Sequence, residues 1–199
     1  MSDTFKTITS IREGIYKEKG SKFLSFAIPV SNTEEVKEIL KDYRKRFFDA
    51  RHVCYAYMLG AERTEFRTND DGEPSGTAGR PILGQINSHD LTNVLIIVVR
   101  YFGGVLLGTG GLVVAYKEAA ADALNQAEII KKVIEENIQI RFDYLQMNVV
   151  MKIIKDSDVQ ITNQTFDNEC LISFSISKSH ADNILKKLRK INCVIITEN

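Results

Sequence analysis

The sequence predicts an α+β protein with two domains. Residues 138–197 follow the order strand, helix, strand, strand, helix, strand, which is the split-βαβ order of a ferredoxin-like domain. Upstream, an apolar strand at residues 91–101 leads through glycine-rich sequence into an alanine-rich helix at residues 112–127. A run of charged residues separates the two patterns. We therefore assign residues 1–134 to the first domain and residues 135–199 to the second.

The first predicted helix follows a strand at residues 21–30 that ends near Pro29. Ser31 begins this helix, and Glu34 is placed to complete a capping box with it. Apolar residues then recur at helical spacing, namely Val36, Ile39, Leu40, Tyr43 and Phe47. The other face carries Lys37, Lys41, Arg44 and Lys45, offset by Glu34, Glu38 and Asp42. We interpret this charged face as solvated.

The remaining elements of the first domain surround the apolar strand at residues 91–101. Residues 52–59 and 65–67 are predicted strands, and residues 78–87 form a short helix with Pro81 in its first turn, where proline is tolerated. The helix at residues 112–127 has one apolar face, formed by Leu112, Tyr116, Ala119, Ala120, Ala123 and Leu124.

The second domain follows its six predicted elements without interruption. The strands are placed at residues 138–144, 158–166, 169–177 and 193–197, and the helices at residues 145–156 and 180–190. Asp167 and Asn168 are suited to the hairpin turn between the two middle strands.

The composition excludes some classes of function. The chain of 199 residues carries 26 basic and 26 acidic side chains, so its net charge is zero, unlike a nucleic-acid binder driven by overall positive charge. The N-terminus does not resemble a signal peptide, and no apolar run reaches the ~20 residues of a membrane span. Cys54, Cys170 and Cys193 are widely spaced and odd in number, which predicts reduced thiols in a cytoplasmic protein.

Nine of the 12 glycines lie between Gly72 and Gly111, and all of them except Gly84 fall in two segments. We call residues 70–81 the first glycine loop and residues 100–111 the second glycine loop. The second loop fails the P-loop pattern, because Thr109 and Gly110 stand where lysine and a hydroxyl residue are needed. It also fails the dinucleotide pattern at Val113. The glycines therefore predict either an anion site of backbone amides at a helix N-terminus or close packing on the sheet.

The side chains of these loops suggest two further sites. Asp70, Asp71 and Glu73 are able to bind Mg²⁺ through oxygen. We favour the alternative that Asp70 or Asp71 caps backbone amides or pairs with an arginine, namely Arg67, Arg80 or Arg100. Tyr101 and Phe102 stand beside Arg100 and could stack on a nucleobase, although we expect Phe102 to be buried. No arrangement of Ser, His, Asp and Cys typical of nucleophilic catalysis is evident, so no catalytic residue is assigned.

Several long motifs resemble those of the YigZ/IMPACT family, and the resemblance covers residues ~15–125. They are Lys19-Gly20-Ser21-Lys22-Phe23, His52-Val53-Cys54-Tyr55-Ala56-Tyr57, residues 70–79, Arg100-Tyr101-Phe102-Gly103-Gly104, Leu107-Gly108 and Gly110-Gly111-Leu112-Val113. The second domain is similar to that of bacterial members by pattern more than by motif.

The resemblance implies a fold and a field of function. It implies a first domain like ribosomal protein S5 domain 2, and a ferredoxin-like second domain like the last domain of elongation factor G. It also implies a link with translation, since eukaryotic relatives regulate initiation by competing for an activator of a stress-responsive initiation-factor kinase. The chain departs from the family at Val114 and Leu106, where an arginine and a lysine are common. Two cations suited to phosphate are therefore missing.

Our first hypothesis is a non-enzymatic, cytoplasmic protein of translation regulation that binds RNA, the ribosome or a translation-related protein in the groove between the two loops. Lys19, Lys22, Arg51 and Arg100 would supply charge and Tyr101 a stacking surface. The amides of Gly103, Gly104, Gly108, Gly110 and Gly111 would bind an anion. The family motif of the first loop is Asp70, Asp71, Gly72, Glu73, Pro74, Ser75, Gly76 and Thr77.

Two alternatives remain open at this point. The chain could be a Mg²⁺-dependent enzyme acting on a nucleotide or a small phosphorylated ligand, with the acids of the first loop around the cation. It could instead be a purely protein-binding regulator that recruits a partner to the edge of its C-terminal sheet. We assign no cofactor, no metal and no membrane partner, and among oligomeric states we favour a monomer.

Overall fold

The computed structural model describes residues 3–167, 169–191 and 195–198, and the chain divides into two compact units. Residues 5–132 form the N-terminal unit, and the described residues from 133 onward, with Asp3 and Thr4, form the C-terminal unit. The α+β class is confirmed. The strands are β1 (Thr4–Ile8), β2 (Arg12–Glu18), β3 (Ser21–Pro29), β4 (His52–Leu59), β5 (Glu65–Asn69), β6 (Val94–Tyr101), β7 (Ile129–Val133), β8 (Glu135–Phe142), β9 (Val159–Phe166), β10 (Cys170–Ser177) and β11 (Ile195–Glu198). The helices are α1 (Thr33–Arg46), α2 (Gly79–Ser88), α3 (Gly108–Asn125), α4 (Met147–Lys155) and α5 (Lys178–Leu188).

A five-stranded antiparallel sheet of order β2-β3-β6-β4-β5 organises the N-terminal unit. Side chains alternate between its two faces, so each strand contributes to two cores. Phe26, Tyr55 and Ile97 pack with α1 on one face. Ala56 and Ile96 pack with α2 and α3 on the other face. The central position of β6 explains why its residues form an unbroken apolar run.

The predicted elements of this unit are present, with changes at their ends. Asn32 rather than Ser31 caps α1, since its side chain accepts the amide of Glu35 at 2.9 Å. The side chain of Glu35 in turn accepts the amide of Ser31 at 2.8 Å. Helix α3 begins at Gly108, four residues before the predicted start, because the glycines of the second loop already form its first turn.

Three strands of the structure were not predicted. Strands β1 and β7 pair with each other in a separate two-stranded sheet, and β2 lies at the edge of the large sheet. Strand β2 is mostly exposed and has a glycine inside it. That residue, Gly14, leaves room for α3, because a Cβ there would lie 2.5 Å from the amide nitrogen of Ala123. Tertiary contacts set the pairing of these three strands. Their sequences therefore show no alternation of apolar and polar residues that would predict a strand.

The C-terminal unit has the predicted split-βαβ order. Its sheet runs β11-β8-β10-β9 with every neighbouring pair antiparallel, and α4 and α5 cover one apolar core around Phe142 and Phe174. Strand β9 is an exposed edge. Asn168 of the predicted hairpin turn and Cys193 lie outside the described residues. Within the described residues, no helix is long and apolar enough to cross a membrane.

Candidate functional site

A pocket of about 330 Å³ lies between the two glycine loops. We call it the loop pocket. The first loop contributes Gly72, Glu73 and Pro74, and the second contributes Leu106, Leu107, Gly108 and Thr109. Arg100 and Phe102, which also belong to the second loop, complete the lining with Arg51, His52 and Leu112. Antiparallel pairing of β4 and β6 makes His52 and Arg100 direct partners, so the start of one strand and the end of the other meet here.

Strand alternation separates the predicted stacking residue from this pocket. The side chain of Arg100 lies on the face of β6 that is turned toward α2 and α3. Because successive side chains of a strand alternate, Tyr101 lies on the other face and packs with the core beneath α1. The hydroxyl of Tyr101 donates to Asp49 at 2.9 Å. Its cross-strand neighbour on β3 is Lys22, whose side chain lies on the same face of the sheet. Phe102, which we expected to be buried, is 40% exposed and is the aromatic residue of the loop pocket.

A buried ion pair forms the floor of the loop pocket. Nη1 of Arg100 donates to Oε1 of Glu73 at 2.6 Å, and the two side chains are only 7% and 3% exposed. The Tyr116 hydroxyl donates to the same oxygen at 2.9 Å. From the sequence we expected an arginine pair at Asp70 or Asp71, whereas in the structure Glu73 holds Arg100. Nη1 of Arg100 is therefore not free for a ligand. Nε of Arg100 is buried with no partner among the described residues.

Behind the ion pair, Tyr116 and Cys54 continue a chain of buried donors. The single S–H group of Cys54 has two acceptors within reach of Sγ, the Asp70 carbonyl at 3.0 Å and the Tyr116 hydroxyl at 3.3 Å. Burial raises the pKa of the Cys54 thiol and of the Tyr116 hydroxyl far above their usual values. Both groups are therefore neutral, and Cys54 is not a thiolate nucleophile. The second described cysteine, Cys170, is also a buried free thiol.

His52 connects the ion pair to the first glycine loop. Its Nδ1 lies 2.7 Å from the carbonyl oxygen of Asp71, and a carbonyl only accepts, so Nδ1 carries the proton. Its Nε2 lies 3.8 Å from Oε1 of Glu73. The Asp71 carboxylate accepts the amide of Val53 at 2.7 Å and lies 3.4 Å from Arg44. These contacts hold the first loop against the start of β4.

Asp70 organises the rest of the first loop. Its carboxylate accepts the amides of Gly76, Ala78 and Gly79 at 2.7–3.1 Å. Burial opposes the charge of Asp70, but these three N–H groups together hold the pKa of its carboxyl below the usual value. Thr77 turns inward and donates to the Pro74 carbonyl at 2.7 Å, while Ser75 is exposed. The interpretation that Asp70 caps backbone amides is confirmed.

We expect Asp70→Ala to lower the free energy of unfolding by about 1–3 kcal/mol at neutral pH, because it leaves loop amides without acceptors. The folded pKa of Asp70 is below its unfolded value, so its stabilisation is present above about pH 4 and is lost as the pH falls through the lowered pKa. Urea unfolding at neutral and acid pH measures this. The difference in the free energy of unfolding between wild type and Asp70→Ala should become smaller in acid. The exposed control Asp42→Asn should change the free energy of unfolding little at either pH. A gap independent of pH would contradict the assignment.

The acids of the first loop do not favour a cation site. Protein donors already occupy both carboxylate oxygens of Asp70 and Asp71 and Oε1 of Glu73. Within the part of the chain that the structure describes, no group of three His, Cys, Asp or Glu residues is placed to hold a metal ion. A Mg²⁺-dependent reaction at this loop therefore finds no support in the geometry of these carboxylates.

The predicted glycines separate into packing and pocket positions. Gly103 touches the backbone of Gly20, since a Cβ on Gly103 would lie 1.8 Å from the Gly20 carbonyl carbon. Lys19 and Gly20 both have positive φ (45° and 78°) and form the two-residue hairpin turn between β2 and β3. Gly104 and Gly108 also have positive φ, at 88° and 72°. Gly103 is therefore a close-packing position.

Other predicted residues line a second, smaller pocket. Gly110, Gly111 and Lys19 line this space of about 260 Å³ together with Val114. Of the four predicted cations, Arg51 and Arg100 share the loop pocket, whereas Lys19 lines the smaller pocket and Lys22 lies beside Tyr101. Sequence reasoning missed Tyr116 as a polar partner, since its helical spacing indicated only an apolar face. It also missed the exposure of Phe102, for which the sequence carries no signal.

Comparisons with known proteins agree on one family. The Impact N-terminal domain matches residues 19–124. The IMPACT family member YigZ of Escherichia coli is 31% identical over 172 residues, which cover 85% of this chain and 84% of that protein. A Protein IMPACT homolog of Dictyostelium discoideum is 36% identical over 95 residues, which are 46% of this chain and 27% of that longer protein.

A solved structure supports the architecture over the full length. It is the crystal structure of a hypothetical protein, with a TM-score of 0.75 and 27% identity, and the match covers 98% of this chain and 97% of that chain. The domain match spans more than half of the sequence, and the E. coli relative aligns over most of both chains. This chain therefore belongs to the IMPACT family.

Proposed function

We propose that this chain is a non-enzymatic, cytoplasmic regulator of translation that binds single-stranded RNA, with one nucleotide held in the loop pocket. Membership of the IMPACT family supports the translational role, because the resemblance described above links eukaryotic members with control of initiation. The RNA is proposed from the chemistry of the pocket lining.

The Phe102 ring at the loop pocket is the observation that favours RNA. Its centroid lies 5.9 Å from the guanidinium carbon of Arg51 and 5.7 Å from that of Arg100. Arg51 is exposed, so its charge is available to a phosphate. An exposed ring beside an arginine is a surface on which any nucleobase can stack, whatever the RNA sequence.

The amino end of α3 supplies a place for the phosphate. Gly108 and Thr109 line the loop pocket, and the cap residue Leu107 provides no side-chain acceptor for the amides of the first turn. Free N–H groups and the positive end of the helix dipole favour an anion there. The leucine side chains beside it suit a ribose or a base rather than a bare anion. A nucleotide unit matches both parts of the lining.

Titrating the full chain into a fluorescein-labelled oligouridine of about 12 nucleotides, followed by anisotropy, tests this proposal. We expect Phe102→Ala to weaken binding by about 1–3 kcal/mol, the usual contribution of one stacked base. The control is Phe166→Ala, because Phe166 is also 40% exposed but belongs to the C-terminal unit. Absent binding at low salt, or equal losses in the two variants, would overturn the proposal.

A further inference from the structure

A basic groove runs along α1, on the face of the sheet opposite to α2 and α3. Its volume is about 590 Å³, and it lies wholly within the N-terminal unit. The residues that matter for its chemistry are Lys37, Lys41, Arg44, Lys45, Phe48 and Tyr55. None of them lines the loop pocket, so the groove is a separate surface of this unit.

The charges of the groove are regularly spaced. Lys37, Lys41 and Lys45 are four residues apart, which places them on one helix face at steps of about 6 Å. Arg44 lies in the same last turn. Among the described residues, no acid lines the groove. Since the whole chain has no net charge, this is a local concentration of positive charge.

Two of the four cations of the groove have no carboxylate partner among the described residues. Lys41 and Lys45 form no ion pair with any described residue. The Lys37–Glu34 pair is 3.8 Å long, with both side chains about three-quarters exposed, so it contributes little. Nη2 of Arg44 donates a long hydrogen bond to the Asp71 carboxylate at 3.4 Å, with the Arg44 side chain half exposed. The groove therefore presents cations to a polyanion.

An exposed aromatic ring stands in the same groove. Phe48 is 85% exposed, although Tyr43 and Phe47 just before it pack on Phe26. A positive groove combined with exposed aromatic rings is the arrangement of proteins that bind single-stranded nucleic acid, where bases stack and phosphates follow the cations. A duplex keeps its bases stacked internally and would leave Phe48 unused.

We propose that the α1 groove is a second contact surface for single-stranded RNA, in which Lys41 and Lys45 bind successive phosphates and Phe48 stacks on a base. The residues that carry this inference are all different from those of the loop pocket. The two surfaces are therefore separable by substitution.

The test measures the salt dependence of oligouridine binding by the full chain. Lys41→Gln/Lys45→Gln should reduce the slope of log affinity against log salt by about 1.4, or 0.7 for each lost phosphate contact. Phe48→Ala should weaken binding about 5- to 150-fold with the slope unchanged. The matched control is Lys186→Gln/Lys190→Gln, which removes two exposed lysines of the same spacing from the C-terminal unit and should leave the slope as it is. All these side chains are exposed, so the variants should fold.

Each surface can fail without the other. If Phe102→Ala weakens binding but the α1 variants match the lysine control, the groove proposal is wrong and the loop pocket stands. If only the α1 variants weaken binding, the groove stands and the pocket proposal fails. Unlabelled polyglutamate that displaces the RNA as well as unlabelled oligouridine does, at equal charge, would indicate an acidic protein partner and overturn the RNA assignment.

Discussion

Replacing Glu73 by Gln is expected to lower the free energy of unfolding by about 3–5 kcal/mol. The substitution removes the charge that compensates Arg100, which stays buried between the rings of Phe23 and Phe102. An uncompensated buried cation costs far more than the net contribution of the pair itself. Chemical denaturation measures the loss, and the exposed Glu38→Gln provides a control with the same change of chemistry and an expected effect below about 0.5 kcal/mol.

A second variant separates loss of charge balance from loss of packing. In Glu73→Gln/Arg100→Met an apolar side chain of similar length replaces the unpaired guanidinium. Part of the lost free energy of unfolding should therefore be regained. If the double variant is less stable than Glu73→Gln alone, the cost arises from packing around Arg100. A single variant within about 1 kcal/mol of wild type would show that Arg100 does not depend on Glu73.

Replacing Gly103 by Ala should destabilise the N-terminal unit by about 1–3 kcal/mol or more, because the new Cβ would lie 1.8 Å from the carbonyl carbon of Gly20. Both partners are backbone, so no side chain can rotate away, and either the hairpin turn or the second glycine loop must move. Thermal unfolding and urea titration measure the effect.

Gly110→Ala is the matched control in the same loop. A Cβ at Gly110 meets no described atom within 4 Å, and the residue lies in the first turn of α3. Alanine restricts the unfolded chain and suits a helix, so this variant should gain up to about 1 kcal/mol. Equal losses at Gly103 and Gly110 would mean that the loop tolerates no side chain anywhere, and the close contact with Gly20 would not be the cause.

The two units differ in how much of their fold the sequence predicts. The C-terminal unit was predictable because its helices and its strands β8 and β10 bury one face each, which leaves a clear period of 3.6 or 2 in the sequence. Strand β2 gave no such signal, because it is an exposed edge whose pairing to β3 is set by a two-residue turn. The start of α3 was placed late because glycine favours loops in isolation but is tolerated in a helix whose other face packs on a sheet.

The candidate site was predictable in its place but not in its partners. The two glycine loops indicated where to look, and the structure places a pocket between them. The same sequence reasoning grouped Arg100 with Tyr101, whereas the pleat of β6 sends them to opposite faces of the sheet. It also interpreted the lysines of α1 as a solvated face, and only the fold shows that they line a groove with Phe48.

The sequence by itself determined the α+β class, the order of elements in the C-terminal unit and the resemblance to a family. These follow from periodicity, capping residues and long motifs, all of which are local in the chain. Only the tertiary structure decided that Glu73 holds Arg100, that Phe102 rather than Tyr101 lines the loop pocket and that Gly103 touches Gly20. Each of these depends on residues that are far apart in sequence. Burial, charge compensation and contact arise only when folding brings such residues together.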